Sequence, residues 1–428
     1  RNLRLTKLGL TAGTQIAAHS FANLFRSAKA AKESDRTFYR EQAQQLADEL
    51  GRLKGSVMKA GQMLSLYGQY FLPAEAVQVL SGLQDDTPAV AWKTLLPMLE
   101  RSIGRDHLRE LDIEQTPLAA ASLGQVHRAR RKKDGLEVCI KLRYPGVAEA
   151  IESDIKTLHR LIVMTRLAPK GLTLEPIFDE VREMLHRETD YNAERRFTED
   201  FAQKLANDRR YAVPRVLPEY SSDTVLTTTF ESGLHVKDAQ VQNLSQARRD
   251  ALGVAALELF LNEFFAWGQV QTDPHFGNYR FRLGDDGDKI VLLDFGATRV
   301  FGRGFIEGYA DIVHSALKRD RAGLLRGAQA IGLMQPGFPS AVLDGFAELC
   351  DLIVEPFREG TYDWRASDLP QRTTASIARN ALSRHFRLPP REIVFLHRRL
   401  AGVFILLATL GARLDARSRL LHHLQTNT

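Results

Sequence analysis

Two polar loops, each hung on a short apolar segment, constrain this chain more than any other feature. The first is Gln271-Thr272-Asp273-Pro274-His275-Phe276-Gly277-Asn278. The second, Asp294-Phe295-Gly296, begins 16 positions after Asn278 and follows the apolar run Ile290 to Leu293. An Asp and an Asn five apart, with a further Asp at the end of a strand, supply the hard oxygen donors that Mg²⁺ requires and a carboxylate able to orient or deprotonate a hydroxyl or water. This is the inventory of phosphoryl chemistry, with Asn278 and Asp294 as metal ligands and Asp273 as the orienting carboxylate. Asp-Phe-Gly alone carries little, because a strand ending in Asp before Gly is common turn chemistry. Its order and distance relative to Asp273 and Asn278 give it weight.

Lys141 closes the run Val138-Cys139-Ile140-Lys141. Segments rich in β-formers on either side of Lys132-Lys133-Asp134-Gly135 predict a hairpin, so Lys141 lies on a strand, where it could reach nucleotide phosphates or be an ordinary surface lysine. About fifty residues on lies the acidic cluster Glu188, Asp190 and Glu194, within a helix predicted from about Glu175 to Ala206. Asp190 and Glu194 are four apart, a like-charge pair that costs a helix roughly 0.2–0.5 kcal/mol unless a cation is near. Lys141 is a candidate for that cation. Upstream, Ala119-Ala120-Ala121-Ser122-Leu123-Gly124 stands where a phosphate loop would be. Read alone it is a helix start, and its Cβ atoms restrict how closely backbone amides approach an anion.

The chain reads as α+β. Residues 1 to about 105 are helical in pattern with a break at Leu72-Pro73; strands dominate from Leu118, with a further strand from Thr224 to Phe230. A helix follows from about Ser245 to Trp267, and the remainder from Arg303 is mostly helical. The divisions expected are 1–110, 111–230 and 231–428. Leu53, Val57, Ala60, Leu64 and Tyr67 recur at helical spacing as one apolar stripe, with Lys59 and Gln62 on the opposite side. Gly55, Gly61 and Gly68 would each weaken that helix unless the backbone packs closely against something.

The 428 residues are 44% hydrophobic and 26% charged, which suits a folded globular chain. Two cysteines far apart exclude a disulfide framework and a cysteine zinc site. A net charge of +6 admits nucleotide, anionic lipid or nucleic acid partners. Arg1, Arg4, Lys7, Arg26, Lys29 and Lys32 would suit an anionic membrane surface or simply a solvated basic helix. The uncharged stretch Ala401 to Ala412 is only about a dozen residues, short of a spanning helix, and reads as a core helix. The start shows no cleavable signal pattern, and opening on Arg1 rather than Met is compatible with loss of an upstream piece.

These residues together resemble the UbiB-type atypical kinase-like family, the ATPases of coenzyme Q biosynthesis. The resemblance rests on Lys59-Ala60-Gly61-Gln62, the Ala119–Ser122 loop with Leu123-Gly124-Gln125-Val126-His127, Lys141 with Tyr144-Pro145-Gly146-Val147, and Glu188-Thr189-Asp190. It continues through Gln271-Thr272-Asp273-Pro274, Leu293-Asp294-Phe295-Gly296-Ala297-Thr298-Arg299 and Phe395-Leu396-His397-Arg398-Arg399-Leu400. It implies a two-lobed protein-kinase-like fold with an N-terminal helical extension over the active site, ATP and Mg²⁺ as cofactors, and Ala119, Ala120, Ala121 and Ser122 as the nucleotide loop. It further implies that Lys59 and Gln62 occlude the site, that Lys59 pairs with Glu188 and Asp190, and that Glu194 pairs with Lys141. Activity as an ATPase supporting quinone biosynthesis follows, with ATP and ADP, anionic lipids and quinone-pathway lipids or enzymes as partners, at the cytoplasmic side of a bacterial inner membrane or, alternatively, in an organelle.

Phe276 departs from a frequent proline in Pro-His-Pro-Gly-Asn, but the Asp-to-Asn spacing is kept. The spanning segments of some members are missing, which makes membrane contact peripheral unless residues before Arg1 supply it. Two other readings compete. One is a protein or small-molecule kinase, although a protein kinase would be expected to carry an Ala-Pro-Glu element after Asp294; the other is a nucleotide-sensing scaffold, which would not need every catalytic polar group. No recognition motif supports nucleic acid binding.

Overall fold

Alternation decides the first sheet. Val138, Ile140 and Leu142 have no exposed surface, while Cys139, Lys141 and Arg143 between them face the other way, as a strand buried on one side demands. This computed structural model describes residues 41, 44, 56–68, 77, 89–165, 174–335, 337–358, 360–369, 371–373, 375–376 and 389–426. The chain divides into two units: Arg1–Ala193 with Val216–Phe230, and Glu194–Arg215 with Glu231–Thr428. The basic N-terminal residues, Leu53, Gly55 and the Leu72-Pro73 break lie outside the described residues.

In the first unit, strands β1 (Leu111–Ile113), β2 (Ala119–Ala120), β3 (Gly124–Arg131) and β4 (Glu137–Arg143) are joined by β6 (Val225–Thr229); β5 (Tyr211–Ala212) belongs to the second unit. The order is β1-β3-β4-β6 with β2 also on β3, all antiparallel. The predicted hairpin is β3–β4, with Val126 opposite Lys141. Its turn is closed by Gly135 at φ +73° and by Asp134, whose carboxylate accepts from the Leu136 N–H and the Arg131 guanidinium. Ala119 and Ala120 form a strand and not the start of a helix. The amides of Leu118 and Ala121 donate to the carbonyls of Val126 and Gly124, both at 2.8 Å, so the backbone here is committed to β3.

Helices α1 (Ser56–Gly68), α2 (Trp92–Ile103), α3 (Arg105–Arg109), α4 (Val147–Thr165) and α5 (Glu175–Glu188) complete this unit, together with the start of α6 (Tyr191–Lys204). Helix α1 packs on α4 and α5. Val57, Ala60 and Leu64 are buried as the stripe requires, but Met58 and Met63 are buried too. The helix is therefore covered on more than one face, and Lys59 and Gln62 are half-buried.

The single helix expected from Glu175 to Ala206 is two. Thr189 is buried and its hydroxyl donates to the carbonyls of Leu185 and His186, which ends α5. Asp190 Oδ1 then accepts from the Ala193 N–H at 2.9 Å, which starts α6. Asp190 is thus a helix cap, where a carboxylate is favoured, and not the interior partner of a like-charge pair.

The second unit is built on α7 (Gln246–Leu261), which runs into a π-turn at Asn262–Ala266, and on α8 (Arg303–Lys318), α9 (Arg321–Ala330), α10 (Ser340–Val354), α11 (Arg391–Leu410) and α12 (Ala416–Thr426). Strand β7 (Gln269–Gln271) pairs with β10 (Thr298–Val300), and β8 (Tyr279–Arg282) with β9 (Lys289–Leu292), both antiparallel. These ladders are one long hairpin whose two arms are interrupted opposite each other. The interruptions, residues 272–278 and 293–297, are bracketed by hydrogen bonds from Leu293 N–H to the Asn278 carbonyl (3.0 Å) and from Thr272 N–H to the Ala297 carbonyl (3.2 Å). Register alone therefore sets the two polar loops side by side.

The apolar stretch Ala401 to Ala412 is the second half of a 20-residue helix, α11. As expected of a core helix, most of α11 is buried in this fold; the expectation that the stretch is too short to span a membrane is corrected, since by length and composition the whole of α11 is long and apolar enough. The sequence conceals this because Arg398 and Arg399 interrupt the apolar run, and both are paired with carboxylates, Asp273 and Glu263.

Candidate active site

The second unit brings Asp273 and Asn278 together and places Asp294 on the adjoining loop. Asn278 Nδ2 donates to Asp273 Oδ2 at 2.9 Å and to the Asp273 carbonyl at 3.1 Å. With its nitrogen so engaged, Asn278 offers its amide oxygen as a ligand. Asp294 Oδ1 accepts from the Gly296 N–H at 2.9 Å, which fixes the carboxylate at the end of β9. Gln271, 4% exposed, ties the loops together: its Oε1 accepts from the Asp273 N–H and its Nε2 donates to the Asp294 carbonyl. Thr272 adds a hydroxyl bond to the Ala297 carbonyl at 2.7 Å.

Glu194 is buried, and its Oε2 lies 3.1 Å from where a Cβ on Gly296 would stand. A Cβ there would require the Glu194 carboxylate to give by a few tenths of an ångström. Phe295, 1% exposed, packs on Phe201 with ring centroids 4.9 Å apart. Among the described residues no three His, Cys, Asp or Glu side chains form a protein cage for a metal. One carboxylate and one amide suit Mg²⁺, which completes its shell with water and substrate phosphate.

Sequence reasoning assigned no role to the residues that steady these loops from outside. Arg398 Nη2 donates to Asp273 Oδ1 at 2.7 Å. Arg399, fully buried, meets Glu263 at 3.0 Å and the Tyr279 hydroxyl. The Arg299 guanidinium sits 3.4 Å from the centroid of the Phe395 ring. A Cβ on Gly402 would fall 2.0 Å from Pro274 Cβ. All of these contacts are made by α11, far along the chain from both loops, and beyond the Phe395–Leu400 stretch that carries the resemblance only the apolar periodicity of 391–410 signals that helix.

His397, next to Arg398, is half-buried with its Nε2 3.1 Å from the Tyr309 hydroxyl, and desolvation of the ring pushes its pKa down to about 4. The unfolded chain takes up this proton near pH 6.5 and the folded chain resists until about pH 4. Stability should therefore fall on acidification, by about 2 kcal/mol between pH 7.5 and 5 from this group. Urea unfolding at the two pH values should show this loss in wild type and its absence in His397→Gln; equal losses in both would contradict it.

In the first unit, Lys141 Nζ lies 5.3 Å from the centroid of the Tyr191 ring. Two residues on, Arg143 donates to the Thr189 carbonyl at 2.7 Å, tying β4 to the junction of α5 and α6. Lys59 and Glu188 form an ion pair at 2.7 Å. Glu188 is the last residue of α5, where the helix dipole disfavours a carboxylate, so the lysine relieves that site; half-exposed as it is, the pair contributes at most about 1 kcal/mol. The Asp190 carboxylate caps α6 through its Oδ1.

The Ala-rich loop leads into a close approach of β3 and β4: a Cβ on Gly124 would stand 2.4 Å from the Leu142 carbonyl oxygen. Ser122 is 1% exposed, and its hydroxyl has no hydrogen-bond partner among the described residues. Gln125 acts as a buried anchor, exchanging two bonds with the Val90 backbone at 2.9 and 3.2 Å. His127 Nδ1 faces the Glu114 carbonyl, so it carries the proton, and Nε2 accepts from Gln125 Nε2. Burial lowers the His127 pKa, opposed by that carbonyl, which keeps the ring neutral and the network intact.

A model of the ABC1 atypical kinase-like domain matches residues 82–327. The chain belongs to the ABC1 atypical kinase-like family. It is a kinase-like enzyme with the family's mixed helix-and-sheet fold. The ABC1 relative "Atypical kinase COQ8B, mitochondrial" of Rattus norvegicus is 33% identical over 88% of this chain and 70% of its own length. "Atypical kinase COQ8, mitochondrial" of Saccharomyces cerevisiae is 31% identical over 86% of this chain and 73% of its length. Among solved structures, Rv3197 of Mycobacterium tuberculosis, in complex with erythromycin, superposes with a TM-score of 0.61 at 26% identity, covering 91% of this chain and 97% of that one.

Proposed function

We propose that this ABC1 protein is a Mg²⁺-dependent ATP-binding ATPase that supports isoprenoid-quinone biosynthesis at a membrane surface. The observation that carries the reading is the interrupted hairpin, which holds the loops of Asp273, Asn278 and Asp294 next to each other through Gln271. In this reading Asn278 and Asp294 hold the metal, and Asp273 orients or accepts a proton from the attacking hydroxyl or water. Magnesium, when bound, neutralises charge on the phosphates. Lys141 takes the α- and β-phosphates and Glu194 is its acidic partner.

Ala119, Ala120, Ala121 and Ser122 form the nucleotide loop. The unpartnered Ser122 hydroxyl supports this, since a buried hydroxyl without a partner costs about 1–3 kcal/mol that a ligand would offset. Residues 1–110 are the extension, in which Lys59 and Gln62, with Glu188 and Asp190, occlude the site; 111–230 and 231–428 are the two lobes. The mitochondrial COQ8 relatives and the resemblance to coenzyme Q ATPases support the pathway, with the protein peripheral to the membrane.

The test is ADP release with Mg²⁺, with and without vesicles containing cardiolipin and a phenolic mimic of a quinone precursor. Both additions are expected to raise turnover several-fold. Indifference to both would remove the lipid and quinone part of the reading.

A further inference from the structure

We infer that Arg398 is a positioning residue that fixes the orientation of the Asp273 carboxylate, a role that rests on the reading of Asp273 given above. The carboxylate is held at both oxygens, Oδ1 by the Arg398 guanidinium at 2.7 Å and Oδ2 by the Asn278 amide at 2.9 Å. Rotation about its Cβ–Cγ bond would break one bond or both. A carboxylate oxygen has two lone pairs, so Oδ2 keeps one for an incoming hydroxyl or water. The guanidinium stays charged and exchanges no proton, so it acts on the reaction only through the carboxylate.

What makes Arg398 more than a surface ion pair is the helix that carries it. One turn earlier Phe395 lies against Arg299, which follows the Asp294 loop; the next residue, Arg399, holds Tyr279, which follows Asn278. One turn later Gly402 lies against Pro274, the residue after Asp273. Helix α11 is thereby anchored to both loops around the point where Arg398 reaches out. The guanidinium, 30% exposed, has little freedom to leave.

Arg398→Gln is expected to lower kcat for ATP hydrolysis about 10- to 100-fold, as misorientation of a reacting group does, with KM for ATP within about twofold of wild type. Arg398→Lys should recover part of the loss, and guanidinium at low millimolar concentration should partly rescue Arg398→Ala. In an Asp273→Asn background, Arg398→Gln should cause no further loss, because its target is already gone. Melting curves check that each variant folds, and the rescue by guanidinium reads the role even where a variant is less stable. Unchanged kcat in Arg398→Gln, a loss carried mainly by KM, absence of rescue by guanidinium, or full additivity with Asp273→Asn would overturn the inference. If Asp273→Asn itself turns over normally, the role of Asp273 falls and this inference with it. If Asp273→Asn is inactive while Arg398→Gln is normal, only the inference falls.

Discussion

Asp294→Asn is expected to lower Mg²⁺-dependent ADP release by at least about 1,000-fold while leaving the fold unchanged. The two side chains have the same shape, and the Asn oxygen can still accept the Gly296 N–H that Asp294 Oδ1 accepts now. The local turn therefore survives, and the negative charge is what is lost. A metal held by one amide and one carboxylate depends on that charge, and the metal's stabilisation of charge developing on phosphate is a major part of the rate enhancement in such reactions. The measurement is steady-state ADP release across Mg²⁺ concentrations beside a thermal melt. Turnover above about a tenth of wild type, in a variant that melts normally, would refute the metal assignment.

Arg399→Met is expected to destabilise the second unit by about 3–5 kcal/mol, the usual cost of removing one partner from a buried ion pair. Glu263 is 1% exposed and burial already pushes its pKa up to about 7, against the pull of Arg399. Without the arginine it is an uncompensated buried carboxylate. Because the folded state favours its protonated form, the loss should be greatest at neutral and alkaline pH and should shrink on acidification. Urea titrations at pH 5.5 and 8 would read this directly. Arg399→Met with Glu263→Leu should recover most of the stability, since the pair contributes little beyond cancelling its own desolvation. A double variant as unstable as the single one would show that the cost lies instead in the lost contact with Tyr279.

The sequence makes the juxtaposition of Asp273, Asn278 and Asp294 legible because the three belong to one hairpin, where distance along the chain translates into distance in space. Lys141 is legible as a strand residue for the same reason, since the β3–β4 turn announces itself by Asp134 and Gly135. Partners from far along the chain leave no such trace. Arg398 is 125 positions from Asp273, and although it stands in the Phe395–Leu400 stretch that carries the resemblance, nothing in the sequence names Asp273 as its partner. Gly402 is another case, an unremarked small residue in an apolar run until Pro274 is seen against it.

Local pattern also misleads where tertiary contacts outweigh propensity. Alanines favour helix, yet Ala119 and Ala120 pair with β3 because the neighbouring amides find carbonyls there. Asp190 looks like a helix-interior charge, but the hydroxyl of Thr189 ends one helix and the carboxylate begins the next. Glu188 shows why such a junction needs help from elsewhere: its carboxylate sits at the wrong end of a helix, and the remedy, Lys59, comes from far upstream.

The interrupted hairpin has a consequence for tolerated changes in length. Both polar loops lie between two ladders that must stay in register, so adding or removing one residue in either would displace an entire arm. The tip beyond β8 and β9, around Gly284 to Gly287, has a ladder on one side only. Extra residues could accumulate there, or a reporter peptide be grafted there, without shifting Asn278 against Asp294. The 16 positions that separate those two residues are therefore a property of the tip and not a requirement of the chemistry.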